Sequence, residues 1–267
     1  MKKLSDKVAL VTGAAKGIGA DTARLLAHHG ATVFVADILT KQAGQVTSEI
    51  EASGGKAFAI QLDVTSESSW QLAISAVLKT AGRLDILVNN AGFLLAKDFE
   101  QATLAEWKKL ADVNMTSVFL GTKICAPALR DSADSTSEGS AIVNISSVAG
   151  LVAAPNDALY AMTKGGVTLF TKSTAVSFAN KGDRIRVNAI HPGVIDTDMG
   201  NRAILAQAKR LGVTDTEKVR QLSADRHPVG RIGKTTDVAN MVLFLVSDEA
   251  SFITGSSMTV DGGYTAQ

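Results

Sequence analysis

Seven short apolar runs, rich in β-branched residues, alternate along the chain with longer stretches of helical period, and few architectures accommodate that order. The runs fall at 8–12, 32–36, 57–62, 84–89, 141–146, 184–190 and 257–260. Several are apolar throughout rather than alternating, the pattern of parallel strands covered on both faces. Helical periodicity occupies 17–29, 41–53, 67–81, 103–130, 158–180, 199–222 and 235–247. This order predicts an α/β chain, a doubly wound parallel sheet of about seven strands with helices on both faces. Its 267 residues suit one large domain, residues 1–267, better than two of ordinary size. A core of that size needs no disulfide, and the single cysteine, Cys125, permits no internal one.

Charge and hydropathy exclude some partners. A net charge of +1 offers no field to attract nucleic acid or anionic lipid. No apolar run approaches the roughly eighteen residues of a membrane helix. Met1-Lys2-Lys3 could open a signal peptide, but the apolar stretch at 8–11 is too short to continue one. The expectation is a soluble cytoplasmic protein with no nucleic-acid or membrane partner. Residues 131–140 (DSADSTSEGS) read as a solvated loop.

The first run leads into Thr12-Gly13-Ala14-Ala15-Lys16-Gly17-Ile18-Gly19, where a helix begins. Glycines are needed where backbone turns tightly and approaches a pyrophosphate, and the helix N-terminus then offers N–H groups to the phosphates. The spacing is Gly-x3-Gly-x-Gly. The second strand ends at Asp37, eighteen residues beyond Gly19, where an acid can accept both hydroxyls of an adenosine ribose. An acid there repels a 2′-phosphate, by about 4 kcal/mol per charge pair at 4 Å and an effective dielectric of 20. This favours NAD over NADP, although Lys16 is a cation in the same loop that could help hold a 2′-phosphate.

Tyr160 and Lys164 lie four apart in a helical segment, on one face. An ammonium beside a phenol would pull its pKa toward the working range. Ser147 stands thirteen residues before Tyr160, Asn90-Ala91-Gly92 follows the fourth strand, Asn114 sits in segment 103–130, and His191-Pro192-Gly193-Val194-Ile195-Asp196-Thr197 follows the sixth. Together, in this order, these motifs resemble the short-chain dehydrogenase/reductase family over essentially the whole chain, and within it the bacterial NAD-dependent secondary-alcohol dehydrogenases.

The resemblance implies a Rossmann-type fold and a division of labour. Tyr160 would be the general acid/base, Lys164 would bind the nicotinamide ribose and lower the Tyr160 pKa, and Ser147 would hydrogen-bond the substrate oxygen. Asn114 would hold a water relaying protons from Lys164. Gly13, Lys16, Gly17, Ile18, Gly19 and Asp37 would carry the phosphates and ribose, and Asp63-Val64 the adenine. Asn90, Ala91 and Gly92 would line the cofactor, and Pro192, Gly193, Ile195 and Thr197 would embrace the nicotinamide. The implied reaction is reversible oxidation of a secondary alcohol, apolar or cyclic, to a ketone. The alternatives are a 3-oxoacyl carrier-protein reductase, a hydroxysteroid dehydrogenase, or a nucleotide-sensing module without catalysis.

The resemblance also implies a substrate lid over 198–231 and a homotetramer built by the long helices, the last strand and the tail. In some relatives the terminal carboxylate helps hold magnesium. No ligand spacing relates His28, His29, His191 and His227, so no metal site is expected. Phe93, Leu94, Leu95, Val148, Leu151, Met199, Ile204, Leu205 and Leu211 are expected to make the substrate pocket largely hydrophobic. Arg202, Lys209, Arg210, Lys218 and Arg220 read as a solvated helix face, and no Arg or Lys is placed beside the catalytic motifs.

Overall fold

The computed structural model describes residues 2–136 and 138–267. Met1 of the N-terminal reading and Ser137 of the 131–140 stretch lie outside the described residues. Seven strands form one all-parallel sheet: β1 Val8–Thr12, β2 Thr32–Asp37, β3 Lys56–Gln61, β4 Ile86–Asn89, β5 Ser140–Ile145, β6 Ile185–Pro192 and β7 Ser257–Val260. Their order across the sheet is β3-β2-β1-β4-β5-β6-β7. The chain winds outward from β1 to β3, then returns to lay β4 on the other side of β1. The C-terminal ends of β1 and β4 therefore diverge into a crevice, the topological switch point where such sheets bind ligands.

Helices cover both faces. On one face α1 (Gly17–His28), α2 (Thr40–Ala52) and α9 (Thr235–Val246) bury Ala23, Leu26, Val46, Ile50, Val238 and Val242 against Val11, Val35 and Val143. On the other lie α3 (Glu67–Ala81), α5 (Ser117–Asp134) and α6 (Ala158–Asn180), with Trp70, Val77, Leu129 and Phe178 packed on Leu10, Leu87 and Ile142. Each central strand thus buries both of its faces, the physical reason its sequence is apolar throughout.

Two helical segments are broken where the sequence reading ran them through. Segment 103–130 is α4 (Leu104–Ala111), a π-helical turn over Asp112–Thr116, and α5. Segment 199–222 divides into α7 (Asp198–Leu211) and α8 (Thr216–Asp225). There Gly212 takes a left-handed φ of +64° to end one helix, and Asp215 accepts from the N–H groups of Glu217 and Lys218 to start the next. The expected loop at 131–140 begins four residues late. Helix α5 runs to Asp134 because Ser132 is buried and accepts a hydrogen bond from Leu84 N at 3.0 Å. Among the described residues no helix is long and apolar enough to cross a membrane.

Candidate active site

A cleft of about 790 Å³ opens at the C-terminal edge of the sheet. Its lining includes Gly13, Lys16, Gly17, Ile18, Asp37, Asp63, Val64, Asn90, Ala91, Gly92, Ser147, Tyr160, Lys164, Pro192, Gly193, Ile195 and Thr197. Of the nineteen residues singled out in the sequence, Gly19 and Asn114 stand behind this wall.

The glycines are steric requirements. Gly13 adopts φ +62°, and a Cβ there would stand 2.8 Å from the Cα of Ala91. A Cβ on Gly19 would run into the carbonyl of Gly13 and the amide of Asn90. Asn90 Nδ2 donates to the carbonyls of Thr12 and Gly13 at 2.9 and 3.1 Å, so its side chain sews β4 to the loop. Thr12 completes the seam, its hydroxyl accepting from Asn90 N and Ala91 N at 3.0 and 3.1 Å. The sequence reading did not assign Thr12 a role. Helix α1 opens without a side-chain cap or an acidic residue in its first turn, which leaves that turn suited to an anion.

Asp37 ends β2 as a buried carboxylate held by two backbone donors, Ala15 N on Oδ2 and Leu39 N on Oδ1, both at 3.0 Å. Its remaining lone pairs can accept ribose hydroxyls. Lys16 instead extends to Asp198 at the start of α7, 2.6 Å away, so its ammonium is already paired. Asp63 is exposed and folds onto Thr65, while Trp70 Nε1 donates to the carbonyl of Val64 at 3.0 Å and fixes that wall.

Below the cleft, Ser147 follows β5 and Tyr160 and Lys164 rise from α6. Ser146 braces the helix by donating to Lys164 O at 2.9 Å. His191, fully buried, sets the backbone at Ser147 through Nδ1 to its carbonyl at 2.9 Å, and burial lowers its pKa. The hydroxyl of Ser147 lies within hydrogen-bonding reach of the Tyr160 phenol. Burial pushes that phenol up to about 12, against the downward pull of Ser147 and with a smaller upward push from Asp157. Lys164 Nζ donates to Ile145 O at 2.8 Å and stands 5.6 Å from the Tyr160 ring centre, and burial lowers its pKa to about 8. Desolvation is the largest influence on both groups, disfavouring the phenolate and the ammonium alike.

Asn114, in the π-helical turn, spends its amide on the protein. Its Oδ1 accepts from Phe93 N at 2.8 Å, and its Nδ2 donates to Phe93 O and Thr163 Oγ1 at 2.9 and 3.1 Å. It thereby clamps the chain beyond Gly92 against the helix that carries Tyr160 and Lys164.

On the nicotinamide-side wall, Thr197 caps α7 by accepting from Gly200 N at 3.1 Å, and Ile195 bridges to Gly233. Behind this wall His227 Nε2 accepts from Val194 N while Nδ1 donates to Ser223 O, an arrangement that ties α8 to the loop.

The cleft lining is predominantly apolar, as expected, but not through all of the residues expected. Leu94, Val148 and Met199 line it together with Val113, Ala149, Ala154 and Ala203, whereas Ile204 packs beneath the lid with Ala208 and Val219, and Leu205 and Leu211 face outward. Arg202, Gln207, Ser223, Arg226 and Tyr264 add polar groups, with Asp157 from the loop before α6. Arg202 and Arg210 remain exposed, as expected of a solvated face, although Arg202 also borders the cleft and Arg210 donates to Asn156 O at 2.6 Å, while Arg220 pairs with Asp196 at 2.9 Å. The tail turns back on its own chain: the Tyr264 hydroxyl meets Arg226, and Asp261 accepts from Gly263 N and Thr265 N. Sequence spacing could have flagged Asp157, three residues before Tyr160. The contacts of Arg226 and Tyr264 are tertiary and leave no local signal.

Comparison with known proteins agrees with this geometry. The profile of the family described as enoyl-(acyl carrier protein) reductase matches residues 13–265. The cyclopentanol dehydrogenase of Comamonas testosteroni is 43% identical over 267 residues, covering 100% of both chains. The cyclohexanol dehydrogenase of Acinetobacter sp. (strain SE19) is 38% identical over 266 residues, 99% of this chain and 97% of the relative. A crystal structure of a short-chain type dehydrogenase/reductase from Mycobacterium marinum superimposes with a TM-score of 0.85 at 31% identity, covering 99% of this chain and 97% of that one.

Proposed function

The chain belongs to the short-chain dehydrogenase/reductase family, and from that premise we propose that it oxidises cyclic secondary alcohols with NAD, working in reverse as a ketone reductase. The observation that carries this reading is the meeting of Ser147, Tyr160 and Lys164 in one cleft with the glycine loop. A dinucleotide fits the residues present: a glycine turn that a Cβ would obstruct, an uncapped helix start, and a carboxylate with free lone pairs at the end of β2. When bound, NAD takes up the carbinol hydrogen with its electron pair and so supplies the redox change.

The side chains manage the proton. Ser147 Oγ steadies the substrate oxygen as it passes from hydroxyl to carbonyl. Tyr160 Oη accepts the hydroxyl proton in oxidation and returns it in reduction, the general acid/base role. Lys164 holds the nicotinamide ribose and a positive charge beside the phenol. Asn114 keeps the floor between them in place, and the second lone pair of its Oδ1 is left to hold the water that relays protons from Lys164. Gly13, Lys16, Gly17, Ile18 and Gly19 receive the pyrophosphate, Asp63 and Val64 the adenine, and Pro192, Gly193, Ile195 and Thr197 the nicotinamide. Residues 198–231 serve as the substrate lid, and the working form is a homotetramer in the cytoplasm, where the NAD pool is available.

NAD rather than NADP follows from Asp37, whose carboxylate would meet a 2′-phosphate with like charge, while Lys16 is engaged by Asp198. The test is NADH appearance with cyclopentanol, cyclohexanol and open-chain and aryl secondary alcohols. Turnover of the cyclic alcohols is expected, with NAD favoured over NADP by at least about tenfold and the preference relaxed in Asp37→Ala. Equal kcat/KM for both cofactors would overturn the NAD assignment, and inactivity toward every alcohol would overturn the reaction.

A further inference from the structure

Asp157 stands one helical turn before Tyr160, at the start of α6 and in the wall of the substrate cleft. An aspartate at that position ordinarily turns back to accept from the first free N–H groups of its helix. Here it makes no such bond. Its Oδ1 is buried with no hydrogen-bond partner, and its Oδ2 has only a loose ion pair with Arg210 at 3.9 Å. The side chain keeps 23% of its exposure, so it is neither solvated nor satisfied. A carboxylate short of donors is destabilised, and a ligand hydroxyl reaching its exposed part can relieve that. Burial raises the Asp157 pKa, and its charge in turn raises that of Tyr160, as follows from the nearness of the two groups.

Resting on the dehydrogenase reading above, we propose that Asp157 is a specificity-determining residue that accepts a hydrogen bond from a second hydroxyl of the substrate, making cyclic diols preferred over simple cyclic alcohols. One hydroxyl is held by Ser147 and Tyr160 and gives up its proton to Tyr160, while its carbinol carbon gives up hydride to NAD; the other stays unreacted and donates to the Asp157 carboxylate. The geometry also explains why the substrate end is lined by Gln207 and Ser223 and not by aliphatic side chains only. A carbocycle with one hydroxyl would leave the Asp157 oxygen buried and unpaired.

The experiment compares kcat/KM for cyclohexanol with those of the cis and trans forms of 1,2-, 1,3- and 1,4-cyclohexanediol, in the unmodified protein, Asp157→Ala and Asp157→Asn. At least one diol is expected to exceed cyclohexanol by about tenfold, mostly through KM, the size of one hydrogen bond to a charged group. In Asp157→Ala that diol should fall to the level of cyclohexanol. Asp157→Asn, whose amide oxygen still accepts, should keep part of the advantage. Because Asp157 makes no cap bond, neither substitution uncaps α6; both remove only the loose ion pair to Arg210, and melting curves of both variants check that the fold is kept. Loss of the nearby charge should shift the alkaline limb of the pH profile equally for both substrates, so the diol-to-cyclohexanol ratio isolates recognition. A normal cyclohexanol rate with no diol advantage, or an advantage that survives in Asp157→Ala, overturns this proposal only. Failure to turn over cyclohexanol and every diol overturns the dehydrogenase reading together with it.

Discussion

Burial pushes the two titratable groups at the catalytic centre in opposite directions, Tyr160 up to about 12 and Lys164 down to about 8, and in both it disfavours the charged form. Oxidation needs the phenolate, so its kcat/KM should climb with pH from 7 to 10, by up to about tenfold per unit while Tyr160 is limiting. Reduction needs the phenol and should gain nothing over that range. Tyr160→Phe should lower turnover by about 10²–10⁴-fold and remove this pH dependence, with NADH affinity nearly unchanged by fluorescence titration. Lys164 carries a stability consequence as well. Its folded pKa lies below the unfolded value, so the cost of burying its charge is present in full below about pH 8. That cost declines as pH rises toward 10.5. Without added cofactor, Lys164→Met should therefore stabilise the fold at pH 7 by about 1–3 kcal/mol in urea denaturation, less whatever the bond to Ile145 O supplied. An unchanged or lower midpoint would show that this hydrogen bond outweighs desolvation. The positions of Tyr160, Lys164 and Ser147 were legible because their spacing is local to one helix and the strand before it. Thr12 was not, because its role exists only once β1 meets β4, whereas Asp157 had a local signal in its spacing from Tyr160 that went unread.

At the scale of elements, the strands were legible to within about two residues, since a run buried on both faces has no other use. The helical breaks were harder to see. The π-helical turn at Asp112–Thr116 interrupts an unbroken apolar period, and its cause is tertiary: it carries Asn114, which clasps Phe93 and Thr163. The break after Leu211 did have local signs, Gly212 followed by Asp215, which the long periodic stretch outweighed. Helix α7 is pinned at both ends, by Lys16 to Asp198 and by Arg210 to Asn156 O, whereas the start of α8 is held by its own cap at Asp215, with Arg220 and His227 tying its middle and end to α7 and the loop. Asp215→Ala should cost α8 about 1 kcal/mol of local stability. Amide exchange over Thr216–Asp225 should accelerate several-fold while the sheet keeps its protection. The alcohol KM should rise more than kcat falls, because Ser223 and Arg226 reach the cleft from this helix and its end. Unchanged exchange in α8 would mean that packing of Val219 on Ile204, not the cap, holds it.

At the scale of the whole molecule, the protomer leaves apolar surface that its own core does not use. Helix α6 exposes Met162, Leu169 and Val176 at seven-residue intervals, 60%, 66% and 58% accessible, and Phe119 on α5 adds to the same kind of surface at 48%. A stripe at that spacing runs along one side of a helix and suits a second helix packed against it. The other unfinished boundary is β7, the edge of the sheet, only partly buried and preceded by the fully exposed Phe252. An open edge with apolar neighbours invites pairing. Two distinct two-fold contacts, one on the helices and one at this edge, would generate a closed tetramer. The tail, which the resemblance assigned to the tetramer contacts, also packs within its own chain, the Tyr264 hydroxyl meeting Arg226 and Gln267 Nε2 donating to the Arg226 carbonyl at 3.0 Å. Deleting Ala266 and Gln267 should then soften the Arg226 wall and cost at most about 1 kcal/mol. Leu169→Glu, at a position already exposed in the protomer, should leave the fold intact and remove the helix-borne contact. Sedimentation at micromolar concentration should give a tetramer for the parent chain and a dimer for Leu169→Glu, with unchanged circular dichroism. A monomeric parent, or a tetramer undisturbed by Leu169→Glu, would refute the assignment of this stripe to an interface.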